Sequence, residues 1–400
     1  MMKDKKITKR LIVAVLAGTM LFSAVMAGCG EDNKTDSGSK TTASGTAASK
    51  TREESKDTDE SKTSEESKDA DESEISEESK TEISVESVPN IPETPASSFE
   101  YEETSDGGIT ILKYIGKETE VFIPAVIEGK SVTSIGNNAF YGCSGIINIA
   151  IPDSVSIIGN NVFYDCTNLK SVVLPKNLTE INTNLFYGCT KLTDFTIPDS
   201  VSKIGAGAFS YCTALTNIII PDDVTSIGSG AFDDCTGLTS ITVPSGVTEL
   251  KYQVFARCTG LTSITIPDSV TSIGNGTFYG CTGLTNITIP DSVTSIGEGA
   301  FRDCTGLTKI VIPARVTEIA FEAFRGCTGI TNLIIPDSVT SIGTEAFFGC
   351  TGLTSITIPE NVTDFGVNVF LDCDSLTISG KSGSKAEKIA KNNKIPFVAE

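Results

Sequence analysis

The stretch Cys281-Thr282-Gly283-Leu284-Thr285-Asn286-Ile287-Thr288-Ile289-Pro290-Asp291-Ser292-Val293-Thr294-Ser295-Ile296-Gly297-Glu298-Gly299-Ala300-Phe301 is one period of a repeat. Eleven cysteines recur every 23 residues: Cys143, Cys166, Cys189, Cys212, Cys235, Cys258, Cys281, Cys304, Cys327, Cys350 and Cys373. Each has a phenylalanine three residues before it, from Phe140 to Phe370. A fixed period of this length marks a stacked array, in which each unit contacts only its neighbours. Such arrays present long surfaces rather than deep pockets.

Within the period, Leu284, Ile287 and Ile289 form an L-x-x-I-x-I strand. Alternation turns Ile287 and Ile289 inward and Asn286 and Thr288 outward. Pro290 ends the strand, because proline cannot donate in a ladder. Val293 and Ile296 turn inward on a second extended segment. Gly297 bends the chain, and Ala300, Phe301 and the next cysteine close the coil. One coil has a single apolar face, so only stacking buries it.

The ends depart from the period. Pro124 stands eight residues before Val132, whereas Pro152 stands three before Val155, so the first repeat carries an insertion. Upstream, residues 99–123 alternate around Asp106-Gly107-Gly108 and predict a β-hairpin cap. Downstream, Ile378 is followed by Ser379-Gly380 rather than proline. Ser384-Lys385-Ala386-Glu387 is a capping box that opens a helix to about Asn392. Phe397-Val398 is read as a closing strand.

L-x-x-I-x-I-P-x-x-V-x-x-I-G, then A-F and Cys, at 23 residues, resembles the BspA-type leucine-rich repeat of bacterial surface proteins. The resemblance implies a mainly β, leucine-rich-repeat solenoid of about eleven 23-residue coils. It covers the array, 124–379, and both flanks, the cap of 99–123 and a C-terminal cap of 380–400 with one short helix. It also implies adhesion: binding of host extracellular-matrix proteins, other cells or glycans. A passive envelope component is the alternative.

Residues 1–28 have a basic start, Lys3 to Arg10, then an apolar run ending at Met26-Ala27-Gly28-Cys29. This resembles a bacterial lipoprotein signal, with Cys29 as the lipid attachment site and the cell surface as the destination. Residues 29–98 hold almost no large apolar side chains and a clear acidic excess, so they read as a disordered tether. About 70 such residues span roughly 45–50 Å as a coil. Pro89, Pro92 and Pro95 stiffen its end.

The chain has 400 residues, no His, no Trp and a net charge of −20. That balance argues against nucleic acid, which needs clustered Lys and Arg. Without histidine there is no Ser-His-Asp or Cys-His catalysis and no imidazole metal ligand. No enzyme, cofactor or metal is expected, and the solenoid is expected to be a monomer. A parallel row of single cysteines does not converge on zinc. It reads instead as a reduced, buried ladder, each thiol donating weakly to a loop carbonyl.

Three surfaces could bind. One is a neutral strip on the first sheet, from Asn148 and Ala150 to Ser355 and Thr357. The second is a row of aspartates after the prolines, including Asp153, Asp199 and Asp291, interrupted by Lys176, Ser245 and Ala314. Asp after Pro suits a turn by itself. The third is the ridge just before each cysteine: Tyr141, Tyr164, Tyr187, Tyr211 and Tyr279, with Arg257, Arg302 and Arg325. Tyr and Arg dominate interface energetics, which makes this ridge the contact candidate for an extracellular or host protein. A glycan is the alternative ligand.

Overall fold

The computed structural model describes residues 92–400. The signal 1–28, Cys29 and the tether up to residue 91 lie outside the described residues. Among the described residues no helix is long and apolar enough to cross a membrane. The chain winds into a β-solenoid of about 13 turns. Successive coils pair in parallel at the 23-residue register, as Ser240↔Ser263 on one side and Ser272↔Ser295 on the other. The first column carries the L-x-x-I-x-I segments and the second the V-x-x-I segments. A third ladder links the turns around phenylalanine, where the Phe232 amide donates to the Val254 carbonyl at 2.9 Å.

The core is a stack of identical layers. Phe163 to Phe370 stack ring on ring at centroid spacings of 5.3–5.8 Å. Phe195 enters from the first sheet and meets Phe186 and Phe209 edge-on. Leu284, Val293, Ile296 and their equivalents seal the layers. At rows outside the core, threonines tie coil to coil. Thr239 Oγ1 donates to the Thr216 carbonyl at 3.2 Å, and Thr262 Oγ1 to that of Thr239 at 3.1 Å.

The N-terminal cap contains β1 (Phe99–Glu103), β2 (Ile109–Tyr114), β3 (Glu120–Phe122), β4 (Val126–Ile127) and β5 (Lys130–Ile135). β1 and β2 form the antiparallel hairpin. β2 then runs parallel to β5, and β3 runs parallel to Asn148–Ala150. The cap therefore supplies a rung of its own, which raises the count above eleven. The insertion forms the β4–β5 hairpin, turned at Glu128 and Gly129 with φ of 48° and 81°. Positive φ at both central residues matches strand twist.

The tether boundary at 98 is corrected. The Thr94 amide donates to the Phe122 carbonyl at 2.9 Å, and Thr94 Oγ1 accepts from the Phe122 amide at 2.9 Å. Thr94 and Ser98 are buried, and Ala96–Ser98 form a 3-10 turn. Ordered structure begins before residue 99 because β3 offers a free edge that this short polar segment satisfies.

At the other end, helix α1 (Lys385–Asn392) is capped by Ser384, whose Oγ accepts from the Glu387 amide. Glu387 Oε2 accepts in turn from the Gly383 amide at 2.6 Å. Phe397–Ala399 adds a final parallel strand to Thr377–Gly380. The core runs unbroken from Phe99 to Ala390 and is covered at both ends, so residues 92–400 constitute a self-contained folding unit.

Candidate functional site

Each coil carries two left-handed residues, two before and two after its phenylalanine. Before it stand Asn161, Gly207, Gly230, Glu322 and Glu345; after it stand Gly188, Tyr211, Asp234, Arg257 and Asp303. Positive φ suits Gly, Asn and Asp, and is rare for bulky side chains. This constraint shapes the ridge. Tyr141, Tyr164, Tyr187, Tyr279, Arg302 and Arg325 follow phenylalanine directly. Tyr211 and Arg257 sit one residue later, at the left-handed position, with φ of 61° and 55°. The single ridge expected from sequence is thus two adjacent rows.

The tyrosine half is an aromatic ladder. Tyr141 and Tyr164 stack at 4.9 Å and Tyr164 and Tyr187 at 4.4 Å, nearly parallel. Tyr211 leans against Tyr187 at 5.2 Å from the neighbouring row. Tyr141 is 54% exposed and Tyr211 38%. Burial pushes the Tyr187 hydroxyl up to about 12, with Tyr164 and Tyr211 adding to the shift, so this phenol is a neutral donor at neutral pH. Beside Tyr141 lies a shallow cleft of about 540 Å³ lined by Leu112, Tyr114, Asn138 and Cys143.

The arginine half is different. Arg257 NH2 pairs with Asp233 Oδ2 at 2.5 Å, and its Nε pairs with Asp234. Arg302 NH1 reaches Glu322 Oε2 at 2.5 Å, Arg325 NH1 reaches Glu322 Oε1 at 3.1 Å, and Arg325 also binds Glu345. Arg302 lies 5.6 Å from the Tyr279 ring centroid, and Arg325 4.3 Å from that of Phe348. These guanidinium groups are engaged by acids of their own chain. The acids that hold them were missed. Their signal was a glutamate at a left-handed position, 20 residues after each of Arg302 and Arg325.

Between the halves the ridge dips over Ser210, Asp233 and Ala256, all buried. Asp233 Oδ1 is buried with no hydrogen-bond partner among the described residues. Burial raises its carboxyl to about 6; Arg257 lowers it and Asp234 raises it further.

The cysteines form a row beneath the ridge. Cys166 Sγ donates to the Phe140 carbonyl at 3.1 Å, and the same bond recurs up to Cys373 and Phe347 at 3.1 Å. Ten of the eleven are buried, and Cys143, at the first coil, is half-buried. Burial pushes the Cys281 thiol up to about 12. Among the described residues no group of His, Cys, Asp or Glu is placed to hold a metal. In the proline–aspartate row, Asp153 Oδ1 accepts from the Lys176 amide at 3.1 Å. The sheet strip is open at Thr242, Thr265 and Thr288 but closed at its start, where Ala150 and Ser171 are buried.

A parallel β-coil of 23 residues with a phenylalanine spine defines a leucine-rich-repeat solenoid. More narrowly, this chain belongs to the BspA-type leucine-rich repeat family, whose model matches in six copies over residues 133–262 and 249–377. The chain is similar to a solved leucine-rich cell surface protein of Faecalibacterium prausnitzii, at 31% identity over 74% of this chain and 96% of that one, with a TM-score of 0.50. It is also similar to a leucine-rich repeat protein of T. pallidum, at 34% identity over 55% of this chain and 92% of that one, with a TM-score of 0.46. A Bacteroides ovatus leucine-rich repeat protein shares 24% identity over 76% and 98% of the two chains, with a TM-score of 0.47. No curated protein matches the chain.

Proposed function

We propose that this protein is a bacterial surface lipoprotein, anchored through Cys29, that binds an extracellular protein as a monomeric adhesin. The observation that carries this reading is the surface tyrosine ladder Tyr141–Tyr164–Tyr187 with Tyr211 beside it, exposed at Tyr141 and Tyr211 and half-buried at Tyr164 and Tyr187. Rigid aromatic edges with hydroxyl tips give large contact area at small entropic cost. The contact surface is the tyrosine half alone, since the arginines are neutralised in place.

The same geometry favours protein over glycan. Sugar rings stack on open aromatic faces, and here the parallel rings cover one another. Within the parallel stack Tyr141–Tyr164–Tyr187, the end ring Tyr141 keeps one face with no ring stacked on it among the described residues.

The test is a binding screen of residues 92–400 against immobilised matrix proteins and a glycan array. Saturable binding to a protein, lost in Tyr164→Ala/Tyr187→Ala, is the expected result. Response on the glycan array alone would replace the reading with glycan capture, and silence on both would leave a passive envelope component. Anchoring is tested separately: Cys29→Ser should abolish lipid labelling and release the chain from cells.

A further inference from the structure

The C-terminal cap reverses the charge of the molecule. Residues 380–400 hold five lysines and two glutamates in a chain of net charge −20. All five, Lys381, Lys385, Lys388, Lys391 and Lys394, are exposed. Lys381 pairs with Glu360, whereas the other four have no ion pair among the described residues. Glu387 is occupied at the cap, where it accepts from the Gly383 amide.

The lysines share one face. Helix α1 buries Ala386 and Ala390 against the last coil. At about 100° per residue, Lys385, Lys388 and Lys391 fall within roughly 120° of arc on the opposite side. Only Lys391, in the last turn, suits the helix dipole. Like charges three residues apart repel, and Lys385 in the first turn opposes the helix dipole. Beside the helix, the final strand Phe397–Ala399 is the outer edge of its sheet and leaves Val398 51% exposed.

We propose that this end of the solenoid docks on an anionic lipid bilayer. Four unpaired lysines, on and just after a helix that packs beside the strand carrying exposed Val398, complement a surface of negative headgroups with an apolar layer beneath. Lysine, a hydrated point charge without the fork of arginine, suits a diffuse charged plane better than one oriented acidic partner. The acidic coils do not prevent contact, since charges beyond about 8 Å are screened at physiological salt. Each lysine contributes about fivefold in affinity near such a surface, so the contact is weak and reversible by itself. The proposal is independent of the tyrosine ladder and of Cys29.

The test is co-flotation of residues 92–400 with phosphatidylcholine vesicles, with and without 30 mol% phosphatidylglycerol. Binding should require phosphatidylglycerol, with a preference of about several hundred-fold, and should vanish in high salt. Lys385→Glu/Lys388→Glu/Lys391→Glu should remove it, and the milder Lys→Gln triple should weaken it. Both variants should melt no lower than the parent, which separates lost docking from lost folding. Equal binding to both vesicles, no binding to either, or full binding by the folded triple variants would overturn the proposal. So would capture by poly-glutamate without capture by the vesicles, which would indicate an acidic protein partner.

Discussion

Cys258 Sγ donates to the carbonyl oxygen of Phe232, one coil earlier, at 3.1 Å. That carbonyl also accepts the backbone amide of Cys235. The buried thiol thus satisfies the second lone pair of a buried oxygen. The repeat of this relationship explains why cysteine recurs without disulfides among the described residues. Equivalent side chains in a stack point the same way, whereas bridging needs them to converge.

Thiol reactivity should follow from this burial. With native residues 92–400, one thiol, Cys143, should react promptly with a disulfide reagent, and all eleven should react after denaturation. Fast labelling of several native thiols would refute the ladder. Cys258→Ala should cost about 1–3 kcal/mol, through a small cavity and a carbonyl left one donor short.

Phe278 stacks between Phe255 and Phe301 at 5.8 and 5.3 Å. Phe278→Ala should destabilise the array by about 3–5 kcal/mol. In a stack of nearest-neighbour interfaces the damage is local. Hydrogen exchange should quicken in the flanking coils first and leave both caps protected.

Asp233 should impose a pH dependence of unusual sign. Its folded pKa of about 6 lies above the ordinary carboxylate value of roughly 4. Its contribution to stability is therefore complete below about pH 4 and lost as pH rises through 6. Its share is on the order of 1–3 kcal/mol. Chemical denaturation from pH 4 to 7.5 should show a rising loss with pH in the parent and a flatter profile in Asp233→Asn.

On the ridge, stability and binding should separate. Arg325→Ala leaves Glu345 without its cation and Glu322 with Arg302 alone, and should cost about 1–2 kcal/mol, with ligand affinity nearly unchanged. Tyr164→Ala/Tyr187→Ala should weaken ligand binding at least tenfold by surface plasmon resonance. The opposite pattern would move the contact surface to the arginines.

Much of this architecture was legible in residue spacing. The 23-residue period, the inward Ile287 and Ile289, the Phe row and the Ser384 cap all follow from rules that act within a few residues. These rules repeat, so each coil repeats the same answer. The ridge was legible as to residue type but not as to geometry. Tyr211 looked equivalent to Tyr187, yet it lies on another row because its backbone is left-handed.

The pairing of Arg302 with Glu322 shows the same divide. Period and capping residues established a stacked solenoid with a phenylalanine spine and a short capped final helix. Which charges cancel, which tyrosines touch and where the tether gives way to the cap depended on coils meeting in space. Local preference acts along the chain, but ion pairs, ring stacks and free strand edges exist only between segments 20 or more residues apart, once the rungs are in register.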